Sequence, residues 1–178
     1  MKKINKTRKT GILVGVLFLI ALFSDVISVS ISENSIIMIL DIISGLSIIG
    51  IGISIFPILK QHNKKLALSY SGIRIIEGLF FIFMVIFFVS KSTIMIDRIY
   101  VYLFCMGALI LYYLLYRTKL VPRFISIWGI FAIILLLALN ISRVLQAGSA
   151  TTVLLASPLA LQEFVLAIWL IVKGFNKN

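Results

Sequence analysis

The sequence predicts an all-α polytopic membrane protein, a bundle of six transmembrane helices with both termini in the cytoplasm. Three observations carry that reading. Of 178 residues, 61% are hydrophobic and 13% are charged, with a mean hydropathy of +1.16, against about 25% charged in an average soluble domain. The charges bunch into short runs separated by apolar stretches of about twenty residues, the length that crosses a hydrocarbon core. The cations also alternate in density from one gap to the next, which is the pattern that orients membrane helices.

The formal net charge is +11, a value that in a soluble protein would point to nucleic acid. Position removes that reading. Of the 17 Lys and Arg, 13 fall in four places: the tail Lys2, Lys3, Lys6, Arg8 and Lys9; the turn Lys60, Lys64 and Lys65; the turn Arg117, Lys119 and Arg123; and Lys173 with Lys177. The alternate gaps hold only Lys91, Arg98 and Arg143. The dense side is expected to be cytoplasmic, so no nucleic-acid partner is expected. The expected partners are the lipid bilayer itself, with anionic head groups at the cytoplasmic face, and a small-molecule or lipid ligand.

The apolar stretches give spans at 11–31, 35–59, 66–89, 99–116, 122–145 and 152–172, forming a single transmembrane domain over 1–178. The basic tail gives the first span a cytoplasmic start. Ser28 and Ser30 also mimic the small-x-small cleavage site of a signal peptide, a competing reading of that span. Span two ends at Pro57 and the basic turn "KQHNKK". Pro122 opens span five, where the first turn of a helix tolerates proline. Six spans return the C-terminus to the side of the N-terminus. Tyr70, Tyr112, Tyr113, Tyr116, Trp128 and Trp169 are expected near the inner interface and Tyr100 and Tyr102 near the outer one. Span two carries Ser44, Gly45, Ser47, Gly50, Gly52 and Ser54, small residues that let a neighbouring backbone approach.

The informative residues are the charges inside spans: Asp25, Asp41, Arg74, Glu77 and Glu163. A charge at the bilayer centre costs about 2.5 to 3.5 kcal/mol on insertion scales, so it turns toward the bundle interior and a partner. At 1.5 Å rise per residue, Glu77 lies roughly 16 Å above the inner edge of span three and Glu163 roughly 16 Å below the outer edge of span six, near the midplane. Tyr70, Arg74, Glu77 and Phe81 follow each other at spacings of four, three and four, which places them on one helical stripe. That stripe is expected to face Gln162 and Glu163 of span six, with Arg74 and Glu163 touching directly or through Glu77 or a water. Either Arg74 ties the two spans together as structural glue, or the surplus carboxylate serves a proton relay or a ligand. A second polar layer, an outer vestibule, is expected from Asp25, Asp41, Asn140 and Arg143, with Arg98 at its rim.

Several chemistries are excluded by inventory. His62 is the one histidine and lies in a basic turn, so one chain cannot build a Ser-His-Asp triad, a His-rich metal site or a bis-His haem within the membrane. No catalytic residue, metal or cofactor is expected. Cys105 is the one cysteine, so no internal disulfide forms. The glycines of "GLSIIGIG" lack the strand-to-helix setting of a phosphate loop.

Four stretches, "TRKTGILVGVLFLIA", "FPILKQHNKKLALSYSGIRIIEG", "LILYYLLYRTKLVPRFISIWG" and "PLALQEFVLAIWLIVKGFN", together resemble a bacterial multi-pass membrane family filed as domain of unknown function 4386 (DUF4386). The resemblance implies a six-helix bundle and places Arg74, Glu77, Gln162 and Glu163 in its most family-like segments. The outer loops "SISENS" and "SKSTIMIDR" look shorter than is usual in that family. The first functional reading is a non-enzymatic protein of the cell membrane that binds or helps move a small or amphipathic molecule through its polar cluster. Behind it stand an interaction or immunity-type membrane protein whose buried charges are structural only, and then an intramembrane enzyme.

Overall fold

A computed structural model of the chain describes residues 6–31, 33–88, 94–141 and 150–176. It contains six helices: α1 (Lys6–Ser30), α2 (Asn34–Leu59), α3 (Lys64–Phe88), α4 (Ile94–Thr118), α5 (Arg123–Ile141) and α6 (Ala150–Val172). Five of them, all but α6, are long and apolar enough to cross a membrane. The helices outrun the apolar stretches that announce them. α1 begins at Lys6 and α4 at Ile94, because intrahelical hydrogen bonding continues through polar flanks that hydropathy does not count. The segment 142–145, expected at the end of span five, lies outside the described residues.

Each turn has a local cause. Asn63 caps α3, its Oδ1 accepting the Leu66 amide at 3.1 Å while its carbonyl takes the Ala67 amide at 2.9 Å. Lys119 sits at φ 54°, a left-handed residue that ends α4, and the Pro122 carbonyl accepts the Ile125 amide at 3.1 Å as α5 begins. Gly174, at φ 75°, ends α6 in the same way. Beyond it the Asn176 amide reaches the Leu120 carbonyl at 2.8 Å and its side chain the Lys119 carbonyl at 2.9 Å. Arg8 donates to the Val172 carbonyl at 3.4 Å. The start of α1, the α4–α5 turn and the end of α6 are therefore joined at one rim, which also carries the dense cations.

Consecutive helices pack side by side, and α6 returns to α1, so the six close into a ring. The ring's outward surface is apolar, with Leu46, Ile53, Leu68, Phe87, Phe131 and Ile141 among its exposed side chains. In water such a surface would aggregate, whereas lipid solvates it. The tightest seam is α2 against α3. A Cβ placed on Gly78 would stand 2.7 Å from the Gly45 carbonyl oxygen and 2.6 Å from Ile49, so backbone meets backbone, as expected of the small residues in span two. Ser71 of α3 adds a hydrogen bond to the Gly52 carbonyl at 2.8 Å. α1 meets α6 in the same manner at the basic end, where a Cβ on Gly15 would lie 2.7 Å from the Ala167 carbonyl oxygen.

Gly78→Ala should therefore cost about 1 to 3 kcal/mol of stability through overpacking, because one of the clashing atoms is backbone and cannot swing away. Gly72→Ala, on the same helix with open space around it, serves as the control. A detergent melting series should show a lower midpoint for the first and none for the second; equal melting of both would contradict the close α2–α3 crossing.

Candidate functional site

The interior of the ring is polar in three connected groups, and α3 supplies the first. Tyr70, Arg74 and Glu77 fall one turn apart and turn inward together, with Arg74 only 2% exposed and Glu77 fully buried. Arg74 Nη1 donates to both carboxylate oxygens of Glu77, at 2.9 and 3.0 Å, and Nε donates to the Tyr70 hydroxyl at 3.3 Å. The guanidinium lies 5.2 Å from the Phe104 ring centroid of α4 and 5.7 Å from that of Tyr70, within cation–π range. Gly107 of α4 lies against the pair, where a Cβ would stand in ordinary contact at 3.8 Å with Arg74 Nε and Glu77 Oε2 and more tightly, at 3.2 Å, with Ile73 of α3. Phe81, the last member of the stripe, stacks on Tyr100 of α4 at 4.9 Å.

Gln162 belongs to a second group. Its Oε1 accepts the Tyr112 hydroxyl of α4 at 2.5 Å and its Nε2 donates to the Ile125 carbonyl of α5 at 3.2 Å. Gly129 lets α5 press on Tyr112, for a Cβ there would lie 2.6 Å from the ring. One glutamine thus brackets α4, α5 and α6. It does not face the α3 stripe as the sequence reading expected. Gln162 and Glu163 are neighbours on a helix and so point about 100° apart; when one side chain meets α4 and α5, the other turns toward α1 and α3.

Glu163 does turn that way, into a third group. Its carboxyl lies within electrostatic range of Arg74, Asp25 and Glu77. Of the expected routes from Arg74 to Glu163, the direct ion pair is not among the contacts of the described residues, where Arg74 pairs with Glu77 on its own helix. A partner three residues away on the same helix is reached by simple rotamer choice, whereas α3 and α6 are not adjacent in the ring. Asp25 of α1 joins the same group. It senses Glu77 as well as Asp41, so it belongs to the interior cluster as much as to the expected vestibule.

Of the remaining vestibule residues, Asp41 is half-buried near Ser28 of α1. Asn140 is buried in α5 with its Oδ1 unpaired. Arg143 lies outside the described residues, and of Arg98 only its place in the α4 helix is described. The aromatic frame also needs correction. Tyr70 and Tyr112 are buried at 0% and 1% exposure and work as interior hydrogen-bonding groups instead of interface anchors. Tyr113 and Tyr102 are exposed. The polar partners that the sequence reading missed are Tyr112, Ser71 and Ser44. Their signal is the same for all three, a hydroxyl inside an apolar span; Tyr112 is expected in the belt, Ser44 in small-residue packing, and Ser71 is given no role.

Residues 27–97 and 95–174 match the family described as domain of unknown function (DUF4386). The chain belongs to the DUF4386 family. It is a multi-pass membrane protein of that uncharacterised family, as the apolar helices and lipid-like outer surface require. No curated relative and no solved structure matches it.

The pairing within α3 has a measurable consequence. Arg74→Leu should strand Glu77 in the interior and lower stability by about 3 to 5 kcal/mol. Joining it with Glu77→Gln should restore part of that loss, giving a coupling energy well above the few tenths of a kcal/mol expected of independent sites. A double-mutant cycle on unfolding midpoints measures it, and additive losses would rule the pair out as a coupled unit.

Proposed function

We propose that this DUF4386 protein is a six-span protein of the cell membrane, termini in the cytoplasm, whose interior cluster binds or helps move a small or amphipathic molecule. The single observation behind this is the charge balance of the interior. Glu77 and Glu163 come from two helices toward one guanidinium that is already bonded to Glu77, and Asp25 of a third helix lies within electrostatic range of both carboxyl groups. The two remaining carboxyl groups need a counter-charge, supplied by protons or by a ligand. The reading is non-enzymatic and rests on the residue inventory, in which the one histidine, His62, lies in a basic turn.

α6 is a 23-residue helix, about 35 Å long at 1.5 Å per residue, which supports a sixth crossing. The rim that carries Arg8, Lys9, Lys60, Lys64, Lys65, Arg117, Lys119, Arg123 and Lys173 supports placing that end in the cytoplasm against anionic head groups. Cysteine substitutions test the orientation directly, because Cys105 is buried and gives a silent background. A membrane-impermeant maleimide on intact cells should label Glu33→Cys and leave Asn63→Cys unlabelled until permeabilisation. The opposite pattern would invert the topology.

A purely structural role for the buried charges is favoured by one observation, the saturated Arg74–Glu77 pair. Glu163 separates the two readings, since it lacks a direct ion pair. Native mass spectrometry of the wild-type protein released from nanodiscs should show a bound small molecule or lipid that Glu163→Gln loses while remaining folded by gel filtration. An identical set of bound masses in both proteins would leave the cluster with a structural role only.

A further inference from the structure

The corner where α1, α2, α3 and α6 meet holds an unpaired polar site. Ser44 of α2 is 0% exposed, yet its Oγ has no hydrogen-bond partner. Beside it stands the Asp25 carboxyl, near enough to interact with the hydroxyl, with its Oδ1 also buried and without a hydrogen-bond partner. Two buried oxygens without a hydrogen-bond partner each forfeit roughly 1 to 3 kcal/mol by desolvation, so they leave bonding capacity for a third group. Glu163 faces the same corner from α6.

The chemistry of that third group follows from charge and spacing. The acceptors are carboxyl and hydroxyl oxygens, and the neighbouring Arg74 is held by Glu77, so the missing charge is positive. No three His, Cys, Asp or Glu side chains among the described residues converge closely enough to ligate one metal ion. Such a set leaves a bare metal ion short of the roughly six to eight oxygen ligands that a hard cation takes and suits an organic cation instead.

The α1–α6 seam runs beside the corner. Near the basic rim α1 and α6 touch through Gly11 and Gly15, with backbone against backbone. Two turns further along, the contact becomes ring against ring: Phe23 and Phe164 meet edge to face at 6.4 Å, both exposed on the outward surface. Asp25, two residues beyond Phe23, and Glu163, the neighbour of Phe164, are only half-buried. The seam is therefore tight at one end, and at the other it is parted by two side chains that can turn aside.

We propose that this corner binds a lipophilic organic monocation, its charged centre between Asp25 and Glu163 beside Ser44 and its apolar body along the Phe23–Phe164 seam, reached sideways from the bilayer. The assignment rests on the interior cluster being a ligand site, as in the preceding subsection, and narrows the ligand to a charge class. Aromatic rings flanking the route add attraction for a desolvated cation.

Radiolabelled tetraphenylphosphonium binding to the whole protein in phosphatidylcholine nanodiscs tests it. Saturable binding should weaken at least about tenfold in Asp25→Asn and in Glu163→Gln, and stay unchanged in Glu33→Gln, which alters an exposed carboxylate at the start of α2. On wild-type protein, where folding of a variant is not at issue, dodecyltrimethylammonium should displace the label and dodecanol at equal concentration should not. Absence of saturable binding, unchanged affinity in both interior variants, or equal displacement by dodecanol would overturn the cation assignment. If a co-purified molecule is nonetheless lost from Glu163→Gln, the cluster remains a ligand site for an uncharged or anionic molecule; if it is retained as well, both readings fall together.

Discussion

The intolerance of a hydrocarbon solvent for unpaired charge governs this bundle, and the Arg74–Glu77 pair is where that constraint is met. A guanidinium in the bilayer interior is sustainable only with an acceptor in contact and other groups around it. Glu77 supplies the acceptor, Tyr70 a hydroxyl, and Phe104 an aromatic face. Around this pair α2 and α4 are drawn close to α3, α2 through Gly45 and Gly52, α4 through Gly107. Small residues at these crossings let the backbones approach until the polar groups have no route to lipid. The packing and the electrostatics are therefore one arrangement, since a larger side chain at any of these glycines would push the protein groups around the pair outward.

The bundle's second polar bracket, Tyr112 with Gln162 and the Ile125 carbonyl, plays a different part. It is neutral, and it joins three helices that lack a backbone-to-backbone crossing of the α2–α3 kind. Hydrogen bonds between membrane helices are worth about 0.6 kcal/mol on average, so the bracket fixes the rotation of α6 more than it adds stability. By turning Gln162 toward α4 and α5, it aims Glu163 back at α1 and α3. The acidic corner thus depends on a glutamine that never touches it.

Much of this was legible in the chain. Hydropathy located the helices because a span must bury its backbone polar groups in intrahelical bonds whatever its neighbours, and the spacing of Tyr70, Arg74 and Glu77 correctly turned one face of α3 inward. Residue depth follows from counting, so Glu77 and Glu163 could be assigned to a common level. Azimuth does not follow from counting. Whether Glu163 or Glu77 answers Arg74 depends on which helices are adjacent in the ring and on rotamers, neither of which leaves a mark in a single sequence. Tyr112 shows the same gap: its position in the inner part of α4 suits an interface anchor, and only the approach of Gly129 and Gln162 makes it an interior group.

That Arg74 finds its partner three residues later bears on how the chain is made. A helix carrying an isolated arginine enters the bilayer reluctantly, and one that relied on Glu163 would have to wait in a polar channel until α6 had been synthesised. With Glu77 on the same helix, α3 leaves the translocation machinery as an internally neutralised segment. It can settle against α2 at once, along the Gly45–Gly78 crossing. The first three helices are thereby equipped to assemble in the membrane during translation, before the second half of the ribbon exists to close around them.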